Sequence, residues 1–148
     1  DIEYWFKRLG LNDWEKLIDS TKKYISLYED TTEILEYLNN KYKLVIISDA
    51  NRKFLNAKLD CKNIRNYFEH IFTTSEDFGI PQKNEEVFNK ILKKLNIKPN
   101  EIIHIGDNTY LDYTVPSSIG IKSFQLKRSQ KDKKNHIINS LIELKNKL

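Results

Sequence analysis

Ile102-Ile103-His104-Ile105-Gly106-Asp107-Asn108-Thr109-Tyr110-Leu111-Asp112 decides the fold of this chain. A short β-branched run ends in Gly-Asp, and a second Asp follows on the next turn of chain. A brief apolar run closed by turn residues is the pattern of a buried strand. Such a strand delivers the Asp107 carboxylate to the carboxyl end of a parallel sheet. Open α/β folds bind ligands and metals at that end.

Working outward, Lys43-Leu44-Val45-Ile46-Ile47-Ser48 is a second strong strand. Four consecutive large aliphatics bounded by polar residues suit a strand buried on both faces. The strongest helix covers Asn84 to Leu95. Asn84 caps it, Glu85 and Glu86 suit its dipole, and Val87, Phe88, Ile91, Leu92 and Leu95 form one face. A weaker strand is expected over His70 to Thr74 and a third strand over Ile121 to Leu126. A helix follows Asp30 or Thr31 as cap, with Ile34, Leu35 and Leu38 as its stripe, and a short one runs through Phe54, Leu55 and Leu59. Ser75 to Lys83 reads as a loop punctuated by Gly79 and Pro81, and Leu111 to Ser118 as a short helix or turn limited by Pro116. His136 to Leu148 reads as a closing amphipathic helix. Residues 1–26 read as helical with a break at Gly10, their aromatics taken as packing. Strand and helix alternate after position 43, which specifies an α/β fold, a three-layer doubly wound parallel sheet with right-handed crossovers.

Composition narrows the class. A chain of 148 residues fits one domain with a real core. Its charge of +4 comes from lysines spread along the whole length, mostly near acids. That spread argues against a nucleic-acid stripe. No apolar run approaches the ~18 residues of a membrane span. The single Cys61 permits no internal disulfide and suits a reducing cytosol, so a cytoplasmic protein is expected. Met is absent, even at position 1, so a processed, trimmed or partly observed product is expected.

Three clusters of reactive side chains fall where strands end. Ser48, with Asp49 and Asn51, closes one strand. Lys83 precedes the capped helix. Asp107 and Asp112 follow the other strand. Singly, each has a plain structural role: Ser48 as a helix cap, Lys83 as one more surface lysine, Asp107 and Asp112 as turn formers, His104 as a packed core histidine. Together, a hydroxyl, an ammonium and two carboxylates at one sheet edge can treat a phosphoryl group. The hydroxyl and backbone N–H groups bind its oxygens, the lysine offsets its charge, and the carboxylates hold Mg²⁺, a hard cation that prefers oxygen.

From Tyr28 to the C-terminus the chain resembles the haloacid dehalogenase (HAD) superfamily, in the branch with a helical cap. The segments that carry the resemblance are "LYEDTTEILEYLNNKYKLVIISDAN", "NYFEHIFTTSEDFGIPQKNEEVFNKIL", "PNEIIHIGDNTYLDYTVPSSIGIKSF" and "HIINSLIELKNKL", in the family's order. The resemblance implies that Ser48 hydrogen-bonds the substrate phosphoryl, with Asp49 and Asn51 beside it. It implies that Lys83 stabilises nucleophile and transferring group, that Asp107 binds Mg²⁺, that Asp112 supports the metal site or the lysine, and that Asn108 shapes the loop. One departure is local: where the family shows Lys-Pro three residues after the Gly, position 82 is Gln and Lys83 follows.

The larger departure is an absence. Family members begin with a strand ending in Asp-x-Asp, whose first Asp is the nucleophile, and no such motif follows an apolar run here. Asp1-Ile2-Glu3 has no strand before it. Residues 1–26 resemble the last helices of the cap, and 27–148 a core lacking its first, central strand. The expectation is therefore the C-terminal portion of a Mg²⁺-dependent hydrolase, a phosphatase of a small phosphorylated metabolite, inactive as these residues alone. The alternatives are a non-catalytic module binding a phosphorylated ligand or a protein, and, ranked lower, a 2-haloacid dehalogenase. A gap between the strands of Ser48 and Asp107 is expected, and with it homodimerisation or association with the missing N-terminal segment.

Overall fold

The computed structural model describes residues 2–129 and 134–148. Residue 1, which the sequence reading placed in the first helical stretch, lies outside them. The chain runs α1 (Ile2–Arg8), α2 (Trp14–Thr21), α3 (Thr31–Asn39), β1 (Leu44–Ser48), α4 (Arg52–Cys61), β2 (Phe68–Thr73), α5 (Thr74–Phe78), α6 (Glu85–Leu95), β3 (Ile103–Gly106), α7 (Val115–Ser118), β4 (Lys122–Leu126) and β5 (Ile137–Ile138). Short 3₁₀ turns cover Lys22–Tyr24, Arg65–Tyr67, Pro99–Glu101 and Leu141–Asn146, and a π-helical turn covers Thr109–Thr114.

All strand pairs are parallel, as the alternation of elements requires. They form two groups, β1 with β2 and β3 with β4 and β5. Ser48 lies opposite Thr73, and His104 opposite Ser123. Among the described residues no strand pairing joins β1 to β3. Both groups share the helical layers. On one side Ile34 and Leu38 of α3 pack with Leu44, Ile103, Ile105, Phe124, Ile138 and Leu144. On the other, Phe88 and Leu92 of α6 pack with Val115, Ile121 and Ile47, while Val87 and Ile91 pack with Phe72 and Val45. The alternation along β1 is thus that of a strand covered on both faces: Leu44 to one layer, Val45 and Ile47 to the other.

The burial, however, is not that expected of these two strands. Every residue of β1 and β3 is only half-buried, whereas β5 and the middle of β4 are buried. Among the described residues β1 pairs only with β2 and β3 only with β4.

Other elements depart from the sequence reading for identifiable reasons. The stretch 75–83 was expected to be a loop, yet its first part is helical. α5 forms over Thr74–Phe78 because Gly79, at φ +70°, takes the left-handed position that ends it. Pro116 does not stop a helix; it sits in the first turn of α7, where its missing N–H costs nothing. The closing segment is not one helix from His136. Ser140 and Glu143 make a capping box that starts the turn at Leu141, leaving Ile137 and Ile138 extended to pair with β4. Asp30 does not cap its own helix α3; its carboxylate accepts from Leu141 N and Ser140 Oγ instead.

The N-terminal stretch is two short helices and a 3₁₀ turn. Its aromatics are less packed than expected: Tyr4 and Trp5 meet edge to face at 5.3 Å and are each 53% exposed. Trp14 holds the Lys53 ammonium of α4 at 3.9 Å, and Ile18 is buried. No helix among the described residues is long and apolar enough to cross a membrane.

Candidate active site

The loop from Gly106 to Asp112 is built by its own side chains. Asn108 Oδ1 accepts from Tyr110 N and Leu111 N, which folds the chain into the π-helical turn that begins at Thr109. Turns of this kind often mark functional positions. Asn108 therefore does shape the loop. Gln125, buried in β4, donates to the Asp107 carbonyl at 3.3 Å and to Thr109 Oγ1, tying the loop to the sheet.

Asp112 is the hub. It is 3% exposed. Its Oδ1 accepts from Lys83 Nζ at 2.9 Å and lies 3.0 Å from His104 Nε2, and its Oδ2 accepts from Asn108 N at 3.0 Å. Burial pushes this carboxyl up, but the bonds from His104, Lys83 and Asn108 N outweigh it and hold the group well below the usual carboxylate range. Asp112 is thus an ionised acceptor with both oxygens engaged. Gly106 makes the approach possible: a Cβ there would stand 2.3 Å from Asp112 Cγ.

Lys83 reaches the same point from the loop before α6. Its backbone N donates to Asp49 Oδ1 at 2.8 Å, and its ammonium lies 3.6 Å from Asp49 Oδ2. Asp49 therefore anchors the lysine loop to the end of β1. Ser48 Oγ accepts from Ala50 N at 3.1 Å, which leaves its O–H free to donate. Asn51 is occupied differently. It caps α4 through Lys53 N and donates to Glu76 at 3.0 Å. Glu76 also accepts from Arg52 N. Burial raises the Glu76 carboxyl, and bonds from Arg52 N, Ser75, Thr73 and its own backbone N–H bring it down to about 2.

Asp107 is the contrast to Asp112. It is exposed at the end of β3, and among the described residues its carboxylate has no hydrogen bond or ion pair. No three His, Cys, Asp or Glu side chains converge among the described residues to hold a metal. The site brings Lys83, Asp112 and Asp49 into contact, with Ser48 and Asp107 at the neighbouring strand ends. Asn51 is turned to a structural task. Two further residues, His104 and Gln125, contribute to the site. His104 was assigned to the core alone, and Gln125 was read only as a strand residue. For His104 the available signal is a polar residue between two isoleucines; Gln125 lies in the mixed strand Lys122–Leu126, where nothing local marks it.

The haloacid dehalogenase-like hydrolase family matches residues 3–126. The chain belongs to that family. It is 30% identical over 99 residues to a glyceraldehyde 3-phosphate phosphatase of Pyrococcus furiosus, covering 64% of this chain and 39% of that protein. It is 31% identical over 124 residues to the human haloacid dehalogenase-like hydrolase domain-containing protein 3, covering 78% of this chain and 48% of that protein. The chain thus spans less than half the length of these two relatives. A HAD phosphatase crystal structure from Thermococcus onnurineus superposes with a TM-score of 0.82 at 24% identity, over 97% of this chain and 68% of that one. That likeness establishes the fold, an α/β arrangement of parallel strands and covering helices.

Proposed function

We propose that this chain is the C-terminal portion of a Mg²⁺-dependent HAD phosphatase acting on a small phosphate ester. Its nucleophilic Asp lies upstream of residue 1, on a strand that fills the space between β1 and β3. The observation that carries the reading is the pairing pattern. Among the described residues the two strands that end in Ser48 and just before Asp107 each lack a partner on one side, and both are half-buried despite their aliphatic content. Unpaired backbone groups along a buried strand are costly, so a further strand is the natural occupant. Residues 1–26 are then the end of a helical cap.

Each residue has a task in that reaction. The upstream carboxylate attacks phosphorus and the alcohol leaves, giving an aspartyl-phosphate that water then hydrolyses. Ser48 Oγ–H donates to a phosphoryl oxygen. The Lys83 ammonium, held by Asp112 and near Asp49, offsets charge on the transferring group. Asp107, exposed with its carboxylate unengaged, supplies a hard oxygen ligand for Mg²⁺. That ion typically takes one or two carboxylates, with waters and phosphate completing its shell. Asp112 fits poorly as a second ligand, because both its oxygens are already used. Bound Mg²⁺ would neutralise the substrate phosphate. A small phosphorylated metabolite is the substrate class supported by the name of the Pyrococcus relative.

The test compares phosphate release from an aryl phosphate by these 148 residues and by the longer gene product. The longer product should turn over with Mg²⁺ and lose activity on Asp107→Ala. The 148 residues alone should be inactive. Turnover by them that survives Asp107→Ala overturns the proposal. No turnover by either, with a phosphorylated ligand retained, favours a binding module instead.

A further inference from the structure

We infer that His104 is a positioning residue for Lys83, acting through Asp112; this rests on the phosphoryl role of Lys83 given above. His104 stands in β3 between Ile103 and Ile105, which face the α3 layer. Its own ring points to the other layer, edge to face with Phe88 of α6 at a centroid distance of 5.0 Å. From there Nε2 lies 3.0 Å from Asp112 Oδ1, the same oxygen that accepts from Lys83 at 2.9 Å.

The chemistry of the contact assigns the proton. Asp112 is ionised and offers only lone pairs, so Nε2 must carry hydrogen and donate. Asp112 then receives three donors of different origin: a strand side chain, a loop backbone N–H and the lysine. The His104 and Asn108 bonds fix the carboxylate from two sides, one per oxygen, before the lysine arrives. The lysine loop is held independently by Asp49, so Nζ is delivered to an acceptor that does not move. His104 is 11% exposed in its side chain, and Phe88 fixes its ring plane, so the donor direction is set by packing. A phenylalanine would keep an aromatic ring against Phe88 and leave Asp112 Oδ1 without the donor that orients it, with Asn108 N alone fixing the carboxylate from the framework.

The experiment reads the folded chain by NMR and needs no turnover, so its outcome is separate from that of the phosphatase assay. The imidazole ¹⁵N pattern of His104 should show a protonated Nε2. In wild type the Lys83 ammonium protons should exchange slowly with water. In His104→Phe they should exchange at least tenfold faster, and in His104→Gln, whose amide can still donate, exchange should return towards wild type. A purely structural role would lower stability in both variants without this split. An unprotonated Nε2 in wild type overturns the inference even if the phenylalanine variant fails to fold. Unchanged Lys83 exchange in a folded His104→Phe does so as well.

Discussion

Gly106 and Asp112 are in van der Waals contact: a methyl group on Gly106 would stand 2.3 Å from Asp112 Cγ and 2.5 Å from Oδ2. The glycine that precedes Asp107 is therefore needed for close approach. It lets the chain fold back so that the Asp112 carboxylate packs against the end of β3. Gly106→Ala should cost about 2 kcal/mol, the usual scale of overpacking a tight site. It should also loosen the Lys83 contact, since Asp112 is the group that must shift. Urea unfolding measures the first and Lys83 ammonium exchange the second. An alanine variant of wild-type stability would mean the loop can relax away.

Asp112 itself carries a larger penalty. Replacing it by Asn leaves the Lys83 ammonium, 12% exposed in its side chain, with Asp49 at 3.6 Å as its remaining carboxylate. Breaking a buried pair on one side costs roughly 3–5 kcal/mol, because the surviving charge stays buried. We expect Asp112→Asn to lose about 3 kcal/mol in urea unfolding. Lys83→Met combined with it should cost clearly less than the two singles added, since both remove the same interaction. Additivity would show that the pair contributes nothing as a pair.

Asp107 should behave in the opposite way. Its carboxylate is exposed and makes no hydrogen bond or ion pair among the described residues, and surface changes of that kind stay within about 0.5 kcal/mol. Asp107→Ala should therefore unfold with wild-type stability while abolishing Mg²⁺-dependent turnover in the longer gene product. A large stability loss would place Asp107 in the framework rather than at the metal.

The open strand edges make a prediction about assembly. Among the described residues β1 and β3 each pair on one side only, and exposed strand edges recruit other chains. These 148 residues should associate with themselves as concentration rises, seen as increasing mass by sedimentation. The longer product, with the slot filled, should not. A strictly monomeric short chain would show that the edges are shielded by their own side chains.

What could be read from the sequence follows from how local each signal was. Asn84 and the Val87, Phe88, Ile91 and Leu92 stripe lie within one helix, and α6 begins and ends where they require. The aliphatic runs at 44–47 and 102–105 marked two strands, and Asp107 sits at the end of the second. Burial was misjudged for both strands because it depends on a neighbour the run cannot specify. Asp30 or Thr31 is the cap that local sequence suggests, because Asp and Thr before a helix usually serve so. Its partners Arg128, Ser140 and Leu141 are some hundred residues away, and no local pattern points to them. Asp112 and His104 are eight residues apart but joined through the fold-back at Gly106. Their contact follows from the loop's shape and not from spacing.

That distant Asp30 cluster supplies the pH prediction. Asp30 Oδ2 accepts from Arg128 at 2.9 Å, Ser140 Oγ at 2.7 Å and Leu141 N at 2.8 Å, and Arg128 also lies 3.9 Å over the Tyr28 ring. Burial raises the Asp30 carboxyl, and the Arg128, Ser140 and Leu141 bonds more than offset it, bringing it from 3.8 down to about 2. The folded value is the lower one, so on acidification the unfolded chain takes up the proton first. The stability Asp30 contributes is complete above 3.8 and is lost as pH falls through about 2. Asp30→Asn should be about 2 kcal/mol less stable than wild type at neutral pH, the scale of losing hydrogen bonds to a charged acceptor. The gap should narrow through that acid window. Glu76 and Asp112 also titrate low, so wild type and variant both weaken there, and the difference between them isolates Asp30. Urea unfolding of both proteins at neutral pH and through the acid window measures it. A difference that stays constant down to pH 2 would show that the charge of Asp30 does not hold the C-terminal turn to α3.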